Sequence, residues 1–258
     1  MTATVTTDFE DRAEGRVARL TIDEERRLNV LNSAQLERLM AALEPLADDD
    51  DLRAVVLTGA GRSFIGGADL NELKDFDREM ARGFITRLHE VCAAIRALPV
   101  PVIGRVNGFC LGGGLEVAAA CDMRVACESA VFGMPEVKVG LTSVIEAALL
   151  PGLIGWGKTR EILLTGETFG ADEARRIGFV EWLVVDADLD AAVESWVESI
   201  CANGPHAVRT QKALITTWEK SSLEAGIEAG VDSLADAYLT DEPTRLMKAF
   251  FDQKGAKG

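Results

Sequence analysis

The chain has 258 residues, 48% of them hydrophobic and 27% charged, with a formal net charge of −15 at pH 7. That length and balance describe a globular protein able to bury a large core. The acidic surplus argues against nucleic acid or an anionic membrane as partner, because both are bound through clustered Lys and Arg.

The first fifteen residues, MTATVTTDFEDRAEG, are polar and acidic, without the basic start and apolar run of an export signal. Short β-like runs then alternate with helical patterns: RVARLTI at 16–22, RAVVLTG at 53–59, VPVIGRVNG at 100–108, CDMRVAC at 121–127 and FVEWLVV at 179–185. Such alternation points to an α/β architecture. Between the runs, Ser33 to Ala47 and Arg78 to Leu98 carry apolar residues at three- and four-residue intervals, the pattern of helices packed on a sheet, and Pro99 stops the second. The apolar stretch from Val144 to Trp156 is broken by Glu146, Pro151 and glycines and is too interrupted to span a bilayer. After about residue 186 the strand signals end, and 186–202, 206–219, 222–239 and 243–253 read as helices. Their apolar faces (Leu223, Ile227, Val231, Leu234; Leu246, Ala249, Phe250) need another domain or subunit for burial. The five cysteines lack the paired spacing of a zinc site or disulfide framework and read as reduced thiols, so a cytoplasmic protein is expected.

Two glycine-rich segments follow strand-like runs. In LTGAGRSFIGGADL at 57–70, a dinucleotide fingerprint fails because Phe64 stands where its third glycine belongs. An ordinary strand-to-helix turn explains Gly59 and Gly61 but not Gly66 and Gly67. A Gly-Gly-Ala run brings backbone amides close to a ligand, the geometry of an oxyanion donor at Ala68. Asp69, where a helix could start, reads as a cap or a structural acceptor. In GRVNGFCLGGGLEVAAACD at 104–122, three glycines lead into a helix beginning at about Gly113, whose free amide could stabilise developing negative charge. Glu116, in the first turn of that helix, reads either as a helix-dipole partner or as a catalytic carboxylate. Glu136, in VFGMPEVKVG, reads as a surface residue or as a second carboxylate, and two carboxylates reaching one cleft could divide acid and base work.

Together these segments resemble the crotonase, or enoyl-CoA hydratase/isomerase, family across essentially the whole chain. The motifs that carry the resemblance are SFIGGADL at 63–70, VNGFCLGGGLEVAAACDMRVA at 106–126 and FGMPEVKVG at 132–140, with LNVLN at 28–32 and KAFFDQK at 248–254 also similar. The resemblance implies an α/β, crotonase-like spiral of ββα units over 1–195, holding the coenzyme A and acyl site, and a helical C-terminal trimerisation region over 196–258. It implies homotrimers, often paired as dimers of trimers, an acyl-CoA substrate, and no cofactor or metal, since coenzyme A enters as part of the substrate. Ala68 and Gly113 look like the two oxyanion amides, Glu116 like the group that activates water for attack at Cβ, and Glu136 like the proton donor at Cα. Gly66, Gly67, Asp69, Leu70 and Gly112 fall in the segments expected around the substrate.

The chain also departs from the family. After Glu136, where relatives usually carry a glycine-rich turn, it has GLTSVIEAALLPGLIG at 140–155. Ser143-x-x-Glu146 before an apolar run reads as a capping box, predicting a helix from about Ser143, while Glu146 entering the acyl pocket is the alternative. In the N-terminal block Arg26 and Arg27 follow two glutamates, so they are either coenzyme A phosphate contacts or part of a solvated loop. Lys254 is a further ligand candidate from the last helix. His89 and His206 fall away from the glycine motifs, and Cys110 reads as a packing residue. Hydration of a 2-enoyl-CoA is the leading expectation. Δ3–Δ2 enoyl-CoA isomerisation through Glu136 alone, or a binding protein on the coenzyme A fold, are the alternatives.

Overall fold

The computed structural model describes residues 3–12 and 15–255, with side chains described through Asp252. β1 (Thr4–Arg12) and β2 (Gly15–Asp23) form an antiparallel ribbon, and β2 alternates buried Val17, Ala18, Leu20 and Ile22 with half-exposed residues. α1 (Ser33–Ala47) starts where the Asn32 side chain accepts from the Gln35 amide at 2.9 Å, and it buries Leu36, Leu39, Leu43 and Leu46 at helical spacing. Then come β3 (Leu52–Gly59), β4 (Ser63–Ile65), the single-turn α2 (Leu70–Leu73) and α3 (Arg78–Ala97), the last capped by Asp77 on the Met80 amide at 2.8 Å.

β5 (Val102–Val106), β6 (Phe109–Leu111) and α4 (Gly113–Ala120) repeat the strand–strand–helix unit, and β7 (Met123–Cys127) and β8 (Val131–Gly133) open a third. Two 3-10 turns, Pro135–Val139 and Ile145–Leu149, lead to α5 (Leu150–Thr165), which kinks at Gly155. β9 (Thr168–Gly170), α6 (Ala171–Arg176) and β10 (Trp182–Val184) follow. The chain ends in α7 (Leu189–Cys201), α8 (Pro205–Lys220), α9 (Leu223–Ala237) and α10 (Glu242–Gly255).

Each repeat gives its first strand to one sheet, ordered β1-β2-β3-β5-β7-β10, and its second to another, ordered β4-β6-β8-β9. Strand order follows chain order, so the units advance as a spiral and no switch point arises as it does in a doubly wound sheet. β3 is buried along almost its whole length, as a parallel strand covered on both faces is. The terminal helices are tied to this core by buried cations. Arg53 of β3 donates to the Asn203 carbonyl at 2.7 Å, and Lys212 of α8 donates to the Val100 carbonyl at 2.8 Å and to Asp122 at 2.7 Å.

Two features differ from the sequence reading. The polar N-terminal segment is a full strand, because pairing with β2 satisfies its backbone and only one face needs any apolar contact. The second sheet consists of three-residue strands, too short to carry a period-2 pattern.

α4 is fixed from its C-terminal end by Arg124. This fully buried side chain donates from Nη1 to the Ala118 and Cys121 carbonyls at 2.9 Å each and from Nε to the Phe179 carbonyl at 2.7 Å, and it pairs with Glu181. One guanidinium thus satisfies the Cys121 carbonyl and gives the Ala118 carbonyl, which also accepts from the Cys121 amide at 3.2 Å, a second donor. Arg124→Met is expected to lower unfolding free energy by about 3 kcal/mol, since it strands buried acceptors, as read from urea denaturation.

Candidate active site

α4 is buried on every side, all eight of its residues included, and its one charged residue is Glu116. The helix begins after Gly112, which has φ +51°. A β-carbon built at Gly112 would come within 2.3 Å of Glu136 Oε1, so only glycine allows the Glu136 carboxylate to lie against this backbone. The amides of Leu115 and Glu116 bond back to the Gly112 carbonyl at 2.8 and 3.1 Å. The Gly113 amide, first in the helix, has no partner within it, and Gly113 lines the cavity at the positive end of the helix dipole.

Ala68 reaches the same cavity from the other glycine segment. It forms an isolated parallel bridge with Leu31, in which the Leu31 amide donates to the Gly67 carbonyl and the Asp69 amide donates to the Leu31 carbonyl, both at 2.8 Å. In extended backbone alternate residues face opposite ways, so the Ala68 amide points away from Leu31. Gly67, at φ +106°, leaves only 3.2 Å between a would-be β-carbon and the Leu111 carbonyl, which brings this segment against the entry to α4. The partner strand segment is held by buried Asn29, whose side chain accepts from the Glu24 amide at 2.8 Å and donates to the Ala60 and Ser63 carbonyls at 2.9 and 2.7 Å.

The cavity between them is about 700 Å³. Gly66, Gly67, Ala68 and Leu70 line one side, Gly112, Gly113, Glu116 and Glu136 the floor, and Phe84, Ile85 and Leu88 of α3 an apolar wall. Arg82 and Lys138 put positive charge on it, and Lys138 also pairs with Glu167 at 2.8 Å. Of the residues expected around the substrate, Asp69 faces elsewhere: its carboxylate caps α2 on the Asn71 amide at 3.0 Å and pairs with Arg27. Arg26 and Arg27 do not line the cavity either. Arg26 is exposed, and Arg27 is held by Asp69 and, at 3.5 Å, by Glu24. The side chain of Lys254 lies outside the described residues.

The 140–155 segment corrects the capping-box reading. Ser143 does not cap a helix: its hydroxyl donates to Glu136 Oε2 at 2.7 Å. Glu146 is buried, and its Oε1 lies 2.9 Å from His89 Nδ1 on α3. The regular helix starts only at Leu150, after a 3-10 turn whose first residue, Ile145, has φ +38°. The reason is local competition. Both side chains of the box find stronger partners in a carboxylate and an imidazole brought in by the fold. Glu146 also does not line the cavity; it sits behind Glu116. Leu141, Thr142, Ser143 and Val144 roof the cavity in place of a glycine turn. His89, which sequence spacing sets apart from the glycine motifs, is thus part of the site's outer layer.

Glu116 Oε1 accepts from the Ala147 amide at 3.3 Å, which anchors it to that same turn. Burial, then the negative charge of Glu136, push its pKa up to about 8, with Glu146 adding to the effect and the Ala147 and Val144 amides opposing it. At neutral pH Glu116 therefore holds a proton. The folded protein binds that proton more tightly than the unfolded chain, so this group's contribution to stability falls as pH rises from 4.5 to about 8. Glu116→Gln is expected to remove that loss, so that its melting temperature rises relative to wild type between about pH 5 and about pH 9, as scanning calorimetry would register.

Comparison with known proteins agrees with this geometry. The enoyl-CoA hydratase/isomerase family matches residues 12–257. A short-chain-enoyl-CoA hydratase of Clostridium acetobutylicum is 34% identical over 95% of both chains, and a crotonyl-CoA hydratase of Syntrophomonas wolfei is 33% identical over 94% of both. The crystal structure of an enoyl-CoA hydratase from Bacillus anthracis superposes with a TM-score of 0.91 at 32% identity, covering 97% of this chain and 96% of that one. The chain belongs to the enoyl-CoA hydratase/isomerase family.

Proposed function

We propose that this protein is an enoyl-CoA hydratase that adds water reversibly across the 2,3 double bond of a short-chain enoyl-CoA thioester. The observation that carries the reading is the convergence of two carboxylates, Glu116 and Glu136, on one cavity that Ala68 and Gly113 also line. The two amides bind the thioester oxygen as addition at Cβ drives negative charge onto it, and donors fixed in advance in a water-poor site stabilise such an enolate strongly. Coenzyme A enters as part of the substrate, and the reading involves no further cofactor.

The carboxylates share one proton. In hydration Glu116, as carboxylate, takes a proton from water while the oxygen bonds to Cβ, and Glu136 gives its proton to Cα. The enzyme's proton ends on Glu116 instead of Glu136, and the sum of bonds is one water added. Dehydration runs backwards from that state, in which Glu116 holds the proton, the state that burial favours in the free protein. The Ser143 hydroxyl on Glu136 Oε2 orients the second carboxylate. We further propose that α9 mediates self-association in the cytoplasm as a trimer or a dimer of trimers. Its Leu223, Ile227, Val231 and Leu234 are 61–76% exposed, a stripe larger than an isolated surface helix normally carries. Among the described residues no helix is long and apolar enough to cross a membrane.

Turnover of an enoyl-CoA panel tests the reading. Loss of the conjugated-thioester absorbance with gain of one water mass is expected, whereas conversion without mass change would assign isomerisation. Glu116→Gln and Glu136→Gln are each expected to lower kcat about 10²–10⁴-fold with KM little changed. Full hydratase activity in Glu116→Gln would overturn the two-carboxylate mechanism.

A further inference from the structure

Glu146 and His89 have no part in the reaction as described, yet they sit directly behind it. Glu146 is 6% exposed, with Oε1 against His89 Nδ1 at 2.9 Å, and its Oε2 is buried without a hydrogen-bond partner. A buried carboxylate with one oxygen short of a hydrogen-bond partner is costly to the fold. The next residue in the chain is Ala147, whose amide binds the Glu116 carboxylate. The preceding one is Ile145, a β-branched residue held at φ +38°, a conformation that persists only where the surroundings enforce it. The His89–Glu146 pair ties this strained turn to α3 at 2.9 Å, and the Cys92 thiol of α3 meets the same carboxylate. α3 in turn packs on α4 through Leu88, whose Cδ2 would lie 3.0 Å from a β-carbon on Gly113. The pair therefore closes a ring: α3 to the turn, the turn to Glu116, and α4 back to α3.

We propose that His89 and Glu146 are positioning residues for Glu116: the pair pins the 3-10 turn so that the Ala147 amide holds the Glu116 carboxylate in place, and it sets a further negative charge behind that carboxylate. This rests on the reading of Glu116 as an acid–base group. The titratable groups around Glu146 are His89 and Cys92 from α3 and Glu116 from α4. The charged residues of α5 are engaged elsewhere, Lys158 with Glu161 and Glu173, and Arg160 over the Trp156 ring. Burial, and then the charges of Glu146 and Glu116, push the Cys92 thiol well up, and the ionic partner of Glu146 among the described residues is His89. His89 is half-exposed, and the pair is thus open to solvent on the side away from the cavity.

The test is steady-state kinetics of the full chain with a short enoyl-CoA, using His89→Ala, His89→Gln, Glu146→Gln and Glu116→Gln, each checked by thermal melting. His89→Ala is expected to lower kcat about 10- to 100-fold with KM within about threefold, because a carboxylate displaced by a fraction of an ångström loses its alignment. His89→Gln, which keeps a donor, is expected to recover most of that loss. Glu146→Gln removes the charge behind Glu116. It is expected to move the alkaline limb of the kcat/KM profile, where the carboxylate pair loses its shared proton, to lower pH by about half a unit or more. Wild-type kcat and an unmoved alkaline limb in the folded His89 variants and Glu146→Gln, with Glu116→Gln inactive, would overturn the proposal while leaving the hydratase reading intact. A fully active Glu116→Gln would instead overturn the two-carboxylate mechanism, and this proposal with it. If Glu146→Gln does not fold, the two variants at half-exposed His89 decide the matter, since a purely structural pair would leave kcat unchanged in both.

Discussion

The site depends on one electrostatic constraint, a carboxylate placed in the first turn of a helix that is buried on all sides. Glu116 is largely buried, so its charge is balanced chiefly by what the fold supplies: the helix dipole, the Ala147 amide, and a proton. The neighbouring negative charge of Glu136 makes full ionisation costlier still. A carboxylate whose ionisation is made costly by burial and by a neighbouring charge is suited to holding and giving up a proton near neutral pH.

Around this constraint the rest of the molecule is support. Arg124 gathers the carbonyls at the far end of α4 and so holds that end of the helix in place. Gly112 lets the Glu136 carboxylate approach a distance no side chain would permit. The spiral brings this about because each strand–strand–helix unit advances by one strand in both sheets, setting the turn after β4 beside the turn after β6. Ala68 and Gly113 are therefore equivalent points on successive repeats.

The segment after Glu136 is where this chain is individual. Here Ser143 turns towards Glu136, and Glu146 turns away from the cavity to an imidazole. The cavity roof becomes bulkier, and the carboxylate pair acquires a charged layer behind it. Serine and glutamate three apart satisfy the capping motif by type, but a hydroxyl prefers a carboxylate acceptor over one more backbone amide, and a buried glutamate prefers an imidazole.

The order of strands and helices, the span of α1, the start of α4 and both glycine turns were legible in the residues, because each is local: a periodicity, a cap, a run of glycines. β1 and the three-residue strands of the second sheet were not, since their stability comes from partners distant in the chain. The same division runs through the site. By itself the sequence determined which residue types were present and that two backbone amides could converge on a carbonyl, as glycine patterning and family resemblance are properties of the chain alone. Only the tertiary structure decided that Asp69 and Arg27 bind each other and face away from the cavity, that Ser143 serves Glu136, and that His89 stands behind Glu116. Those outcomes turn on competition between partners brought together by folding, and spacing along the chain carries no record of which partner wins.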